Sequence, residues 1–147
     1  MKPAIIIDLD GTLCNVQHRL RYVKVQPPNW PAFFDACVDD LPNSAVVALC
    51  DMARDSGAAI LYVSGRPETH RAPTEAWLDT HGLNGHTLLL MRPAGDYRPD
   101  AEIKCELYEA HIKDRYNVLF TVDDRNVVVA MWRALGLTCF QVADGDF

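Results

Sequence analysis

The chain has 147 residues, of which 49% are hydrophobic and 23% charged, and a formal net charge of −6. That length and composition suit one globular domain with its own core, and the acidic balance excludes broad, non-specific nucleic-acid binding, which needs many Lys and Arg contacts to phosphates. Five scattered cysteines (Cys14, Cys37, Cys50, Cys105, Cys139) with no C-x-x-C pair argue for a reduced, cytoplasmic setting rather than a disulfide framework or zinc site.

The first predicted element is a strand over Ala4–Ile7, which runs directly into "DLDGT". Residues 14–43 follow, with Pro27, Pro28, Pro31 and Pro42 and an aromatic stretch "NWPAFFDACVDD"; this reads as a short helical insert over the sheet edge. A helix then starts with Ser44 as its N-cap and ends before Gly57. A second strand over Ala58–Val63 leads into "SGR", and a helix in "PTEAWLDTHG" closes on Gly82. A third strand, Thr87–Met91, leads through "RPAGDYRPD" to an amphipathic helix starting at Asp100. A fourth, Val118–Val122, leads into "DDR", a helix closing on Gly136 and a weaker fifth strand over Thr138–Val142. No signal peptide precedes the first strand, and no apolar run approaches the roughly 20 residues needed to cross a membrane.

These strands are continuous apolar runs rather than alternating ones, the pattern of strands buried on both faces. Alternating with helices, they predict an α/β fold: one Rossmann-like domain over residues 1–147 with a parallel sheet of about five strands and helices on both faces. The insert at about 14–43 stands where a large cap could otherwise be.

In such a sheet, ligands bind beyond the carboxyl ends of the strands. Those ends deliver Asp8, Asp10 and Thr12, then Ser64, Gly65 and Arg66, then Lys104 in the first turn of the next helix, then Asp123, Asp124 and Arg125. Asp8 and Asp10 are one residue apart, so strand alternation carried through this point puts both carboxylates in one space. A cation and a positive pocket would then be needed to balance them.

The set suits hydrolysis of a phosphate monoester. Asp8, the backbone carbonyl of Asp10 and an acid from the Asp123–Asp124 pair offer hard oxygen ligands to Mg²⁺. Aspartate can accept a phosphoryl group covalently, which assigns Asp8 as nucleophile. Asp10 is placed to protonate the leaving oxygen and then deprotonate water. Ser64 would donate to a phosphate oxygen, and Lys104 would balance the charge of Asp8 and phosphate.

The order D-x-D-G-T, "VSGR", Lys and "DD" resembles the haloacid dehalogenase superfamily of phosphohydrolases. Over nearly the whole chain, "DLDGTLCNVQHR", "VSGR", "RPAGDYRPDAEIK", "DDR" and "MWRALGLTCFQVADGDF" are similar to the 3′-phosphatase domain of bacteriophage polynucleotide kinase-phosphatase. The resemblance implies that Asp8, Asp10, Arg19, Ser64, Arg66, Lys104, Asp123 and Asp124 are phosphatase residues. It further implies that Asp124 ligates the metal directly with Asp123 behind it, and that Arg19 and Arg66 contact phosphate. Thr12, Gly65 and Arg125 complete the expected substrate-binding set. No G-x-x-x-x-G-K-[ST] loop occurs, so kinase activity is not implied, and a separate kinase or repair partner would have to supply it.

Each residue has a plainer reading. Asp8–Gly11 could be a strand-end turn, Ser64 or Asp123 a helix cap, Lys104 a solvated lysine. Arg92, Arg98 and Arg125 could pair with Asp96, Asp100 or Asp124 on the surface, His18 is read as structural, and Trp30, Phe33 and Phe34 as core more than base platform. Four motifs in order outweigh these for the catalytic set. Three functions stay open: hydrolysis of 3′-phosphate ends of DNA or RNA, hydrolysis of free nucleoside monophosphates, and phosphate-end binding without catalysis.

Overall fold

In the computed structural model, which describes residues 1–147, five parallel strands form one sheet in the order β5-β4-β1-β6-β7. They are β1 (Lys2–Ile7), β4 (Ala59–Pro67), β5 (Leu88–Arg92), β6 (Tyr116–Asp123) and β7 (Cys139–Gln141). The central position of β1 explains its unbroken apolar run. Its Ile5 and Ile7 face one side layer and Ala4 and Ile6 the other, all at most 1% exposed.

Helices α2 (Ser44–Asp55) and α3 (Arg71–Thr80) pack their Val46, Cys50, Trp77 and Leu78 on one face. Helices α4 (Asp100–His111) and α5 (Asn126–Ala134) cover the other with Tyr108, Val128, Val129 and Trp132. The predicted α/β fold, its parallel strands and its two helical layers are therefore present. The boundaries moved slightly: Asn43, not Ser44, caps α2 by accepting from the Ala45 N–H at 3.2 Å. Gly57 follows that helix at φ +89°, a conformation that suits glycine.

The insert leaves and returns through a two-stranded antiparallel ladder, β2 (Cys14–Asn15) against β3 (Leu41–Pro42). Two-residue strands are too short to produce a periodic signal, so the sequence pattern missed them. Between them lie a 3-10 turn at Gln17–Tyr22, helix α1 (Trp30–Asp35) and a second 3-10 turn at Ala36–Asp39. Phe33 and Cys37 are buried, but Trp30 is 51% exposed, so the core reading of that ring is corrected. All five cysteines are free, and no helix is long and apolar enough to cross a membrane.

Candidate active site

β1 ends at Ile7, one residue before the first acid, so strand alternation does not extend through Asp8 and Asp10. The shared space expected for them is corrected: the two carboxylates enter separate networks.

Asp8 joins Asp123 and Asp124, whose carboxylate oxygens lie with its own within 4.8 Å of one another. All three are nearly buried, and Lys104 sits among them, 2% exposed. Its Nζ donates to Asp8 Oδ1 at 2.7 Å and to Asp123 Oδ2 at 2.8 Å. Lys104 lies one turn inside α4 rather than in its first turn, and helical side chains lean back toward the N-terminus, which carries the ammonium to the sheet edge. Thr12 Oγ1 donates to Asp8 Oδ2 at 2.8 Å and, more loosely, to Asp124 Oδ1 at 3.4 Å. Thr12, expected to bind substrate, is here hydrogen-bonded to the acidic cluster.

One ammonium cannot balance three buried carboxylates. Burial and the Asp123 and Asp124 charges push Asp8 well above the usual carboxylate range, against the pull of Lys104. Burial and Asp123 likewise push Asp124 up. The two acids of the pair differ in what they have left to offer. Asp123 is used up by Lys104, by Trp132 Nε1 at 3.2 Å and by the backbone N–H of Asp124 at 2.9 Å. Asp124 accepts only the long Thr12 contact. The donor set therefore fits a hard divalent cation, with an excess of oxygen donors and negative charge at one point.

Asp10 belongs to the second network. Its Oδ1 accepts from Arg19 Nη2 at 2.7 Å and from Arg66 Nε and Nη2 at 2.9 and 2.6 Å. Asp40, fully buried, accepts from Arg19 Nε at 2.8 Å and Nη2 at 2.6 Å, from Arg66 Nη2 at 3.3 Å and from His18 Nε2 at 2.6 Å. The remaining Arg19 nitrogen donates to Phe33 O and the remaining Arg66 nitrogen to Thr74 Oγ1. Every guanidinium nitrogen is engaged inside the protein, and neither arginine is more than 1% exposed. Both arginines, expected to contact phosphate, here grip two carboxylates. Burial alone would raise Asp10, but the Arg66 and Arg19 charges overcome it and hold the carboxyl well below its usual range.

Ser64 is buried beside them, its Oγ accepting the Arg66 N–H at 3.1 Å, which leaves its own proton to donate. Gly65 has a steric reason to be glycine, since a Cβ there would lie 2.7 Å from Asp100 Oδ1. Arg92 donates to Gly65 O at 2.8 Å and to Asp100, and Arg125 Nη1 donates to Asp100 Oδ2 at 3.0 Å. Arg125 also holds Phe147 O at 2.9 Å, so the structure brings it to the strand ends as a partner of Asp100. Arg98 pairs with Asp96 and Glu106 on the surface. A polar cleft of about 440 Å³ opens along Gly11, Thr12, Asn15, Gln17, Asn43 and Ser44.

Sequence reasoning missed Asp40 and gave Asp100 no role beyond surface pairing. Asp40 lies in no motif; its only signal was an acid pair ahead of a proline. Trp77 and Trp132 are both buried, and each also donates its indole N–H, Trp77 to Asp40 O at 2.9 Å and Trp132 to Asp123.

The family model of the polynucleotide kinase PNKP phosphatase domain matches residues 2–147. A bifunctional polynucleotide kinase/RNA ligase of Autographa californica nuclear polyhedrosis virus, so described provisionally, is 31% identical over 142 residues, 95% of this chain and 19% of its own. A solved chain of the Pnkp1/Rnl/Hen1 complex is 40% identical with a TM-score of 0.88, covering all of this chain and 48% of that one. The chain thus spans about half the length of that solved relative and about a fifth of the viral one. A class C acid phosphatase from Bacillus anthracis shares the fold, at 17% identity and a TM-score of 0.68 over 97% of this chain and 67% of its own.

Proposed function

The chain belongs to the family of polynucleotide kinase PNKP phosphatase domains, and on that premise we propose that this phosphatase removes the phosphate from 3′-phosphorylated polynucleotide ends. The observation that carries the chemistry is the convergence of Asp8, Asp123 and Asp124 around Lys104. The similarity to a polynucleotide kinase/RNA ligase and to a chain of an RNA repair complex supports the substrate class.

Asp8 and Asp124, with the Asp10 backbone carbonyl, would hold Mg²⁺, which when bound offsets the repulsion between the Asp8 carboxylate and an incoming phosphate dianion. Asp123 is reserved for Lys104 and holds the ammonium against Asp8. Asp8 attacks phosphorus as the P–O3′ bond breaks, forming an aspartyl-phosphate. Asp10 gives its proton to the departing O3′. It then takes a proton from the water that attacks phosphorus, releasing phosphate and restoring Asp8. Lys104 and the Ser64 hydroxyl stabilise the phosphoryl oxygens.

Arg19 and Arg66 shape this cycle through Asp10. They favour its carboxylate form, the form that accepts a proton from water. A phosphate dianion beside Asp10 raises its proton affinity, which opposes the arginines and lets it carry the proton for the first step.

A phosphate-release panel tests the reading: 3′- and 5′-phosphorylated oligonucleotides against nucleoside monophosphates, each with Mg²⁺ and with EDTA. Release is expected from 3′ ends with Mg²⁺ alone. A preference for free mononucleotides or 5′ ends, or binding without turnover, would overturn it.

A further inference from the structure

The insert carries a ladder of aromatic rings that packing does not account for. Trp30 stacks on Phe34 at 6.0 Å with 26° between planes, and Phe34 meets His70 at 5.7 Å. Phe33 lies edge-on to both Trp30 and Phe34 and is the buried ring of the three. Trp30 is the outermost ring and leaves half its surface in solvent.

The ladder is tied to the reaction site through Arg19. The Arg19 guanidinium lies 4.5 Å from the centre of the Phe33 ring and donates directly to Asp10. Three contacts therefore separate the exposed Trp30 ring from the Asp10 carboxylate. At its other end the ladder is held to the segment after β4, where Asp35 of α1 accepts from His70 Nε2, four residues beyond Arg66, at 2.8 Å. The Trp30 ring is thus held by its neighbours, three contacts from Asp10, while remaining open.

Single exposed hydrophobic residues need no explanation in general. Here the exposed residue is the aromatic type with the largest π-face, backed by a stacked ring and continuous with the catalytic network. That combination suits a planar, π-faced ligand. We propose that Trp30 is a stacking platform for a nucleobase of the substrate whose phosphate is held at Asp8. The inference rests on the reading above and extends it by naming what grips the rest of the nucleotide. Base stacking on an aromatic ring is tolerant of sequence, because every base has a π-face, so the platform would hold ends without reading them. It also supplies affinity that the acidic surface cannot obtain from phosphate contacts.

The test uses two 3′-phosphorylated oligonucleotides that differ only in whether the terminal nucleotide carries a base, together with a nucleoside 3′-monophosphate. Wild-type enzyme is expected to favour the base-bearing end by about 5- to 100-fold in kcat/KM, the range that stacking of one base provides. Trp30→Ala is expected to reduce that preference to about twofold or less, mainly through KM, with Trp30→Phe restoring most of it. A matching loss on the mononucleotide assigns the platform to the reacting nucleotide's own base; a loss confined to base-bearing oligonucleotides assigns it to a polymer end. Trp77 and Trp132 are buried, so acrylamide quenching of fluorescence reports Trp30, and base-bearing ligand should protect it. Equal slowing of both oligonucleotides by Trp30→Ala, or no wild-type preference for the base, would overturn the platform and leave the phosphatase reading standing. No release from any 3′ end by wild-type enzyme would overturn that reading and the platform with it.

Discussion

Arg66 grips Asp10 through two nitrogens, Nε at 2.9 Å and Nη2 at 2.6 Å, both on the single oxygen Oδ1. A lysine can supply the charge but not this paired hold. If the arginine acts by fixing where the Asp10 carboxyl sits rather than through its charge, its loss matters most where the leaving group needs a proton. Arg66→Lys and Arg66→Ala are expected to lower kcat/KM on a 3′-phosphorylated oligonucleotide by about 100-fold, within the usual range for a lost acid–base group. On p-nitrophenyl phosphate, whose leaving group departs unprotonated, the loss is expected to be about tenfold smaller. Equal losses on both substrates would return Arg66 to a direct grip on phosphate.

Asp40 accepts from both arginines and has no exposed side-chain surface. Removing its charge leaves two buried guanidiniums sharing Asp10 alone. Asp40→Asn is expected to destabilise the fold by about 3–5 kcal/mol, the scale for breaking a buried ion pair. It should also show the same leaving-group signature as the Arg66 variants. Chemical denaturation and kcat/KM measure the two effects, and an unchanged pair of values would remove Asp40 from the network.

Asp8→Asn is expected to abolish turnover by several orders of magnitude because the proposed nucleophile is gone. Without metal, its melting temperature is expected to equal or exceed that of wild type. The variant removes one of three crowded carboxylates, and Lys104 keeps its bond to Asp123. Calorimetry in EDTA checks this; a large drop in melting temperature would show that the Lys104–Asp8 bond outweighs the repulsion.

Metal dependence separates the two neighbouring acids. EDTA is expected to stop turnover, Ca²⁺ to inhibit, and Mg²⁺ at 100 times its Kd to stabilise the fold by about 2.7 kcal/mol. Asp124→Asn should raise the Mg²⁺ concentration needed for half-maximal rate by at least about tenfold, as expected when a carboxylate ligand is lost. Asp123→Asn should instead lower kcat at saturating Mg²⁺, because it frees Lys104 and Trp132. Titration of rate against Mg²⁺ distinguishes them, and identical profiles would contradict the division of labour.

Gly11 has φ +83°, and a Cβ there would fall 2.1 Å from Asp124 Oδ2. Gly11→Ala is therefore expected to cost about 1–3 kcal/mol in backbone strain and to displace the Asp124 carboxylate. Reduced stability together with a higher Mg²⁺ requirement would be the signature. An alanine variant with wild-type affinity for Mg²⁺ would show that the carboxylate relocates without consequence.

The strands and helices of the sheet were legible because burial on both faces leaves a continuous apolar run, as in Ala4–Ile7, and because glycines such as Gly57 and Gly136 mark helix ends. The meeting of Asp8, Lys104 and Asp124 was legible too, since in a parallel sheet every strand end arrives at the same edge. Chain order alone therefore determined that these three meet. It could not determine which charge answers which. Asp8 and Asp10 are one residue apart in sequence, yet the strand ends before both, and the backbone turn sends one to Lys104 and the other to Arg19 and Arg66. Asp40 comes from the insert, 26 residues before Arg66, and carries no motif because its requirement is only to be a buried carboxylate near two guanidiniums. Local sequence encodes local periodicity. The pairing of buried charges is settled only when folding removes water and leaves each group with the partners that remain within reach.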